Sequence, residues 1–123
     1  MMHEISYRVY YEDTDAGNIV YHSNFLNFAE RARTEWLRAL GFGQQALRDE
    51  TGGMFVVSHT EMHYRQSARL DDVLQVTAWV VEAGRASITI GQQALRDDIL
   101  LCEGTIRIGW VDTTTLRPAR IPV

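Results

Sequence analysis

Hydrophobic and polar positions alternate with two different periods along this chain. Between about residue 24 and residue 40, apolar side chains recur every three or four positions, as on the buried face of an amphipathic helix. This stripe consists of Phe25, Phe28, Ala29, Ala32, Trp36, Ala39 and Leu40, while Glu30, Arg31, Arg33, Glu35 and Arg38 fall mostly outside it. Ser23 or Asn24 can cap such a helix, and Gly41 can end it. The pattern therefore predicts one long helix over residues 24–40.

Five other segments alternate with a period of two, which is typical of strands with one buried face. They are residues 4–11, 54–67, 73–83, 86–96 and 99–112. The predicted buried face of the four later strands carries Met54, Val56, Met62, Tyr64, Leu74, Val76, Ala78, Val80, Ile88, Ile90, Leu100, Cys102, Ile106, Ile108 and Trp110. The opposite, mixed faces carry Phe55, Val57, Trp79, Leu95 and Leu101.

This order of elements predicts an α+β fold, with an antiparallel five-stranded sheet packed on the long helix and a short helical turn at 44–48. We expect a single domain over residues 1–123, because that length is normal for one hydrophobic core. One helix cannot cover both faces of a five-stranded sheet. A second copy, paired edge to edge or face to face, would cover the apolar residues of the mixed faces. We therefore expect a homodimer or a homotetramer.

Composition narrows the class of protein. With 46% hydrophobic and 23% charged residues, the chain is typical of a soluble domain. It has no apolar run of about 20 residues, and we expect neither a membrane span nor a secretory signal. A single cysteine, Cys102, fits a reducing compartment, so we expect a cytoplasmic protein. All twelve basic residues are arginines, and they are dispersed in a chain of net charge −4. This disfavours nucleic acid as a partner but leaves a small phosphate-bearing ligand possible.

The residues with the clearest chemical potential lie in the acidic, glycine-containing loop 11–22, directly before the predicted helix. Asp15 supplies a carboxylate on the approach to the helix start, where the first N–H groups have no partner within the helix. A carboxylate beside free N–H donors can form two parts of an acyl-transfer site. The same residue types are also common in turns and caps, so spacing alone leaves both interpretations open. His22 is likewise either a polar residue at the helix start or a catalytic one.

Other candidates are weaker. His59 and His63 share one face of a predicted strand, but the local pattern offers no third metal ligand, so an exposed or interface face is favoured and no metal site is predicted. Cys102 falls on the apolar face and is interpreted as a buried, inert thiol. The chain has no Gly-x-Ser-x-Gly motif, which disfavours a serine hydrolase.

The loop motif carries a family resemblance. Residues 10–26 read Tyr-Tyr-Glu-Asp-Thr-Asp-Ala-Gly-Asn-Ile-Val-Tyr-His-Ser-Asn-Phe-Leu, and residues 30–33 read Glu-Arg-Ala-Arg. This sequence resembles the signature of the 4-hydroxybenzoyl-CoA thioesterase family, and in particular its YbgC-type, Tol-Pal-associated branch of acyl-CoA thioesterases. Residues 64–72 and 116–122 extend the similarity over roughly residues 5–122.

The resemblance implies the hotdog fold, in which a sheet wraps around one long helix, with active sites at a dimer interface. It implies that Asp15 is the nucleophile or the general base. It also places at His22 both the N–H that polarises the thioester carbonyl and a side chain that assists catalysis. Amides from about Tyr21 onward would bind the substrate oxygen.

Further substrate-binding residues follow from the same resemblance. Glu30 falls where 4-hydroxybenzoyl-specific members carry an acid that meets the substrate hydroxyl, although here it is Glu rather than Asp. Arg85 and Arg117 match positions that meet coenzyme A phosphates, and Arg120 is a weaker match. The predicted function is hydrolysis of an acyl-CoA without cofactor or metal. A hotdog hydratase or dehydratase and a non-catalytic acyl-CoA-binding module remain the alternatives.

Overall fold

The computed structural model describes residues 2–41 and 43–122. Residues 1, 42 and 123 of the predicted domain lie outside the described residues. The elements, in chain order, are β1 (His3–Arg8), α1 (Asn24–Ala39), α2 (Gln44–Thr51), β2 (Gly53–Tyr64), β3 (Val73–Ala83), β4 (Ser87–Arg96) and β5 (Ile99–Asp112). The predicted turn at 44–48 is thus a two-turn helix. No helix among the described residues is long and apolar enough to cross a membrane.

The five strands form one antiparallel sheet in the order β1-β3-β4-β5-β2. Helix α1 packs across one face of this sheet and buries Phe25, Phe28, Ala32 and Trp36 against it. The predicted architecture is therefore confirmed: a sheet wrapped around one long helix, which is the hotdog fold. Strands β1 and β2 are the two edges of the sheet, and α1 begins near the Tyr64 end of β2.

Bulges interrupt the alternation of two strands, so several residues lie on the face opposite to the predicted one, including Met54 and Val56 of β2. Residue Ser58 is an extra residue in β2, since the register with β5 shifts between Val57 and His59. Before this bulge the odd-numbered residues face α1, and Phe55 packs on the helix-side core instead of lying on the mixed face. After the bulge the even-numbered residues, such as Met62, face α1.

Leu101 is misassigned because of a bulge in another strand. Ala94 pairs with Cys102 and Leu95 pairs with Leu100, so Leu101 is the extra residue of a bulge in β5. Both Leu101 and Cys102 are fully buried in the helix-side core, although they are neighbours in sequence. A bulge permits this because its extra residue leaves the ladder and turns toward the same side as its neighbour.

Helix α1 also departs from its predicted faces. Arg33 was placed with the polar residues but is only 8% exposed, and Leu37 is buried too. Leu40 was placed in the apolar stripe but is 47% exposed, because the helix ends at Ala39 and Gly41 leaves it with φ 91°. The first strand is shorter than predicted: Tyr11 lies in a 3₁₀ turn over Tyr11–Asp13 and is exposed.

Candidate active site

The loop before α1 folds into a small hairpin. Thr14 bridges Val20, the Asp15 amide donates to the Ile19 carbonyl at 3.0 Å, and the Tyr21 amide donates to the Asp13 carbonyl at 3.1 Å. Asn18 takes a left-handed conformation, φ 63°, that closes the turn. The loop is held against the connection between β2 and β3 because the Val20 amide donates to the Ala68 carbonyl at 2.8 Å. The hairpin thereby returns the chain from Asp15 to the first turn of α1.

The helix start retains free donors. Ser23 is the N-cap residue, but its side chain makes no capping hydrogen bond. Within residues 2–41 and 43–122, neither the His22 amide nor the Ser23 amide has a hydrogen-bond acceptor, whereas the amides of Asn24, Phe25 and Leu26 bond to carbonyls three residues back. The Tyr21 amide is already used by Asp13. This restricts the predicted oxyanion donors from "Tyr21 onward" to His22 and Ser23.

Asp15 is exposed, and its Oδ1 accepts one hydrogen bond from the Gly17 amide at 2.8 Å. This bond orients the carboxylate within its own turn and leaves Oδ2 available to a reactant. A β-carbon on residue 17 would lie 3.1 Å from the same Oδ1, so glycine leaves the carboxylate room. Asp13 has a different role, because its Oδ2 accepts from the Tyr10 amide at 2.9 Å and fixes the 3₁₀ turn.

His22 stands between two aromatic rings. Its ring centroid lies 4.7 Å from that of Tyr21 and 5.5 Å from that of Tyr64, which meets it edge-on. Tyr64, at the end of β2, also packs against Phe25, with 6.0 Å between the two ring centroids. Partial burial raises the pKa of the Tyr64 phenol, so the Tyr64 hydroxyl next to His22 is protonated and uncharged at physiological pH. The end of the edge strand β2 is thus in contact with the candidate catalytic loop.

Glu30 lies two helical turns further along α1. Its Oε1 accepts a hydrogen bond from the Thr34 hydroxyl at 2.9 Å, and the carboxylate is exposed. It borders a cavity of about 130 Å³ between α1 and the first half of β2, lined also by Arg33, Thr34, Leu37 and Phe55. The structure therefore places Glu30 and the Asp15 loop at different points along the helix.

The three candidate phosphate-binding arginines are exposed and lie at one end of the sheet. Arg85 is in the turn between β3 and β4, and its carbonyl accepts from the Ile121 amide at 2.8 Å. Arg117 is in the same C-terminal segment, held because its carbonyl accepts from the Asp112 amide at 3.0 Å. Arg120 directly precedes Ile121. The segment after β5 therefore brings the three arginines to the same end of the molecule.

That end is opposite to the Asp15 loop. Arg85 and Arg117 lie where β2 begins, since Gly53 pairs with Asp112, whereas the Asp15 loop lies where β2 finishes, at Tyr64. An extended strand of the length of β2 spans roughly 35 Å. Within one chain, the candidate carboxylate and the candidate phosphate-binding arginines are therefore far apart.

Two further sequence candidates stay outside the site. His59 and His63 lie on the outer face of β2, where His63 is 3.5 Å from Glu61, and the part of the chain that the structure describes holds no group of three potential metal ligands. Cys102 is buried in the helix-side core, and burial raises the pKa of its thiol to about 12. A thiol in that state is a poor nucleophile.

Sequence reasoning did not assign Tyr64 or Arg33 to the site. The sequence does point to Tyr64, because Tyr64 is the first residue of segment 64–72, which carries part of the family resemblance. The sequence points to Arg33 less clearly, since Arg33 is only the last residue of the Glu-Arg-Ala-Arg motif. The burial of Arg33 cannot be inferred from the stripe of apolar residues on the same helix.

Comparisons with known proteins agree with this architecture. The model of the thioesterase-like superfamily matches residues 9–123. The acyl-CoA thioesterase YbgC of Haemophilus influenzae is 44% identical over 115 residues, which cover 94% of this chain and 85% of that protein. The acyl-CoA thioester hydrolase YbgC of Escherichia coli O6:H1 is 40% identical over 116 residues, covering 94% and 86%.

A solved structure gives the same result. A probable thioesterase from Bartonella henselae superposes with a TM-score of 0.93 at 30% identity, covering 99% of this chain and 100% of the other. Both the sequence similarity and the shared architecture extend over nearly the whole length of the chain. The chain therefore belongs to the thioesterase-like superfamily, together with the YbgC acyl-CoA thioesterases.

Proposed function

We propose that this protein is an acyl-CoA thioesterase in which Asp15 and the first amides of α1 act on the thioester carbonyl. The family membership supports the reaction class. The observation that carries the site is the pair of amides at His22 and Ser23, which have no acceptor among the residues that the structure describes. They follow directly on the hairpin that carries the exposed Asp15 carboxylate. Donors of this kind stabilise the oxyanion of a tetrahedral intermediate.

In the proposed reaction, the acyl carbon gains an oxygen and loses the sulfur. Asp15 either attacks the carbon itself, giving an anhydride that water then opens, or removes a proton from the attacking water. In both cases the carbon–sulfur bond breaks, coenzyme A leaves as a thiolate that takes up a proton, and one water is consumed to give the free acid. The His22 and Ser23 amides hold the negative oxygen, and the His22 side chain assists at the same carbon.

The proposed enzyme is a dimer joined along the β2 edges. β2 is an edge strand, so its outer backbone groups are free to pair with a second copy. Antiparallel pairing of two β2 strands about their midpoint would set Tyr64 of one copy opposite Gly53 of the other. The Asp15 loop of one protomer would then adjoin the end of the partner that carries Arg85, Arg117 and Arg120.

This arrangement resolves the separation within one chain. Coenzyme A phosphates would bind to arginines of one protomer while the thioester reaches Asp15 of the other. Tyr21, beside His22, would line the entrance, and Glu30 would border the acyl group. The single, buried cysteine is consistent with the cytoplasm as the place of action.

The test is release of free thiol from a panel of acyl-CoAs of different length and aromaticity, followed with a thiol reagent. A thioesterase releases one thiol for each acid formed. A hotdog hydratase would change the acyl group and leave the thioester intact. A binding module would gain thermal stability with acyl-CoA but release no thiol. Either of the last two results would refute the proposed function.

A further inference from the structure

One arginine of α1 is buried on the side of the helix that faces the sheet. Arg33 is 8% exposed, and its Nη1 donates to the Gln92 side-chain oxygen at 2.9 Å. Gln92 is itself fixed, because its Nε2 donates to the Ala29 carbonyl at 2.9 Å. These bonds orient one edge of the guanidinium and leave most of its five N–H donors without a protein acceptor among the described residues.

The charge of Arg33 has no counterion in contact with it in the described part of the chain. No carboxylate among residues 2–41 and 43–122 lies within 4.0 Å of its guanidinium. Burial lowers the pKa of Arg33, and the more distant Glu30 opposes this only in part. Glu30 is exposed and already accepts from Thr34, so water screens its charge more than that of Arg33. Among the described residues no buried side-chain nitrogen lacks a hydrogen-bond partner, so the Arg33 nitrogens without a protein acceptor keep some access to solvent. A ligand oxygen can therefore reach them, and it would stabilise a cation that burial otherwise disfavours.

Arg33 borders the cavity between α1 and β2. The volume of about 130 Å³ has apolar walls at Leu37, Phe55 and Val57. Its polar lining includes Arg33, Thr34, Gln44 and the Glu30 carboxylate, which is exposed and bonded to Thr34. At about 30 Å³ for each water-sized group, the cavity holds roughly four such groups. This is the size of the end of a short acyl group and much too small for coenzyme A.

Access to this cavity is from the β2 edge. Toward the Asp15 loop of the same chain, Phe25, Ala29 and Met62 close the space under α1 to about 10 Å³. Val57, on the edge strand, is 53% exposed. In the proposed dimer, the partner's Asp15 loop would adjoin this edge, so an acyl group held there would enter the Arg33 cavity.

We propose that Arg33 determines acyl specificity, and that its cavity selects acyl groups whose far end carries an oxygen acceptor, most strongly a carboxylate. The guanidinium would donate to that oxygen in the geometry that arginine offers to carboxylates. The inference rests on the proposed function and adds to it the chemical class of the substrate.

The experiment compares three acyl-CoAs of matched shape with the full-length protein. Glutaryl-CoA ends in a carboxylate, its amide analogue ends in a neutral oxygen acceptor, and 5-methylhexanoyl-CoA ends in an isopropyl group of similar size. An enzyme-free sample subtracts the intramolecular breakdown of glutaryl-CoA. We expect kcat/KM for glutaryl-CoA to exceed that for 5-methylhexanoyl-CoA by at least about tenfold. The amide shows whether a neutral acceptor suffices or a charge is needed.

The variant Arg33→Met should lower the glutaryl to 5-methylhexanoyl ratio at least about tenfold. A purely structural role would instead lower both rates together and leave the ratio unchanged. Arg31→Met is the matched control, because Arg31 lies on the same helix, exposed, on the side of Tyr7, and should keep the wild-type ratio. If Arg33→Met does not fold, Arg33→Lys is used instead. Lysine keeps the positive charge but loses the paired N–H donors of the guanidinium, so it should give an intermediate glutaryl to 5-methylhexanoyl ratio.

Two results separate the two proposals. If no acyl-CoA of any kind releases thiol, the proposed function fails. If simple acyl-CoAs are hydrolysed but the wild-type protein prefers the isopropyl end or shows no preference, the function stands and the role of Arg33 is refuted. An unchanged ratio in Arg33→Met refutes it as well.

Discussion

The amide of Ile121 donates a hydrogen bond to the carbonyl of Arg85 over 2.8 Å. This contact ties the C-terminal segment to the turn between β3 and β4. It gathers Arg85, Arg117 and Arg120 at the end of the sheet opposite to the Asp15 loop. In the proposed dimer, a ligand that uses both ends would bridge two protomers, and this arrangement can be tested directly.

Subunit mixing should reveal a site shared between chains. Asp15→Asn and the double variant Arg85→Met/Arg117→Met should each have low activity alone, because every site lacks either the carboxylate or the phosphate contacts. In a mixed dimer, one of the two sites recovers both wild-type contributions. Random pairing of equal amounts should thus restore about a quarter of the wild-type kcat/KM. The measurement is thiol release at low substrate after co-expression with two affinity tags.

The opposite result has a clear meaning. If each site used only residues of its own chain, every site of a mixed dimer would carry one lesion. Activity of the mixture would then not exceed the mean of the two parent variants, and the shared site would be ruled out.

Removing the carboxylate at residue 15 should abolish most of the hydrolysis. In Asp15→Asn the side chain can still accept from the Gly17 amide, so the hairpin is kept while the base or nucleophile is lost. We expect kcat to fall at least about 100-fold. Asp13→Asn is the matched control in the same loop, since its carboxylate bonds to the Tyr10 amide, and it should lose much less. Near-normal turnover by Asp15→Asn would remove Asp15 from the mechanism.

Much of the fold follows from local pattern. The helical stripe of Phe25, Phe28, Ala32 and Trp36 is predicted correctly because its period is set by the backbone of α1 alone. The free amides at the helix start follow from the same local geometry, since every helix leaves its first donors unpaired. The loop motif was specific enough for the family to be identified.

What the sequence did not reveal depends on contacts between distant segments. Phe55 and Leu101 were assigned to the wrong face because the bulges at Ser58 and Leu101 arise from register with a neighbouring strand. The contact of Tyr64 with His22 joins positions 42 residues apart, and the burial of Arg33 depends on Gln92 in β4. None of these is encoded by the spacing of residues within one element.

The bulge in β5 buries Leu101 more deeply than the adjacent Leu100. Leu101 is 0% exposed in the core, whereas Leu100 is only half-buried. Leu101→Ala should therefore lower the free energy of unfolding by about 2–5 kcal/mol, because it leaves a cavity. Leu100→Ala should cost less than about 1.5 kcal/mol, since part of its side chain already meets solvent. Urea unfolding at one fixed protein concentration compares them, and equal losses would contradict the bulge.

Stability should fall in alkaline solution because of Cys102. Burial raises the pKa of its thiol from 9.0 to about 12, so the unfolded chain loses this proton at lower pH than the folded chain. The stabilising contribution is present below pH 9 and is lost between pH 9 and 12. Between pH 8 and 10 we expect a loss of roughly 1 kcal/mol in the free energy of unfolding. Cys102→Ala should show a shallower decline over that interval, and an identical slope would exclude this cause.

The position of Cys102 also has a practical benefit. Because the only sulfhydryl of the chain is enclosed in the helix-side core, a chromogenic disulfide reagent should colour with released coenzyme A and not with the intact enzyme. In a blank without substrate, slow reaction of one equivalent of reagent per chain would show that the core opens and exposes Cys102. The same reagent can therefore serve both as the assay and as a check on sample integrity.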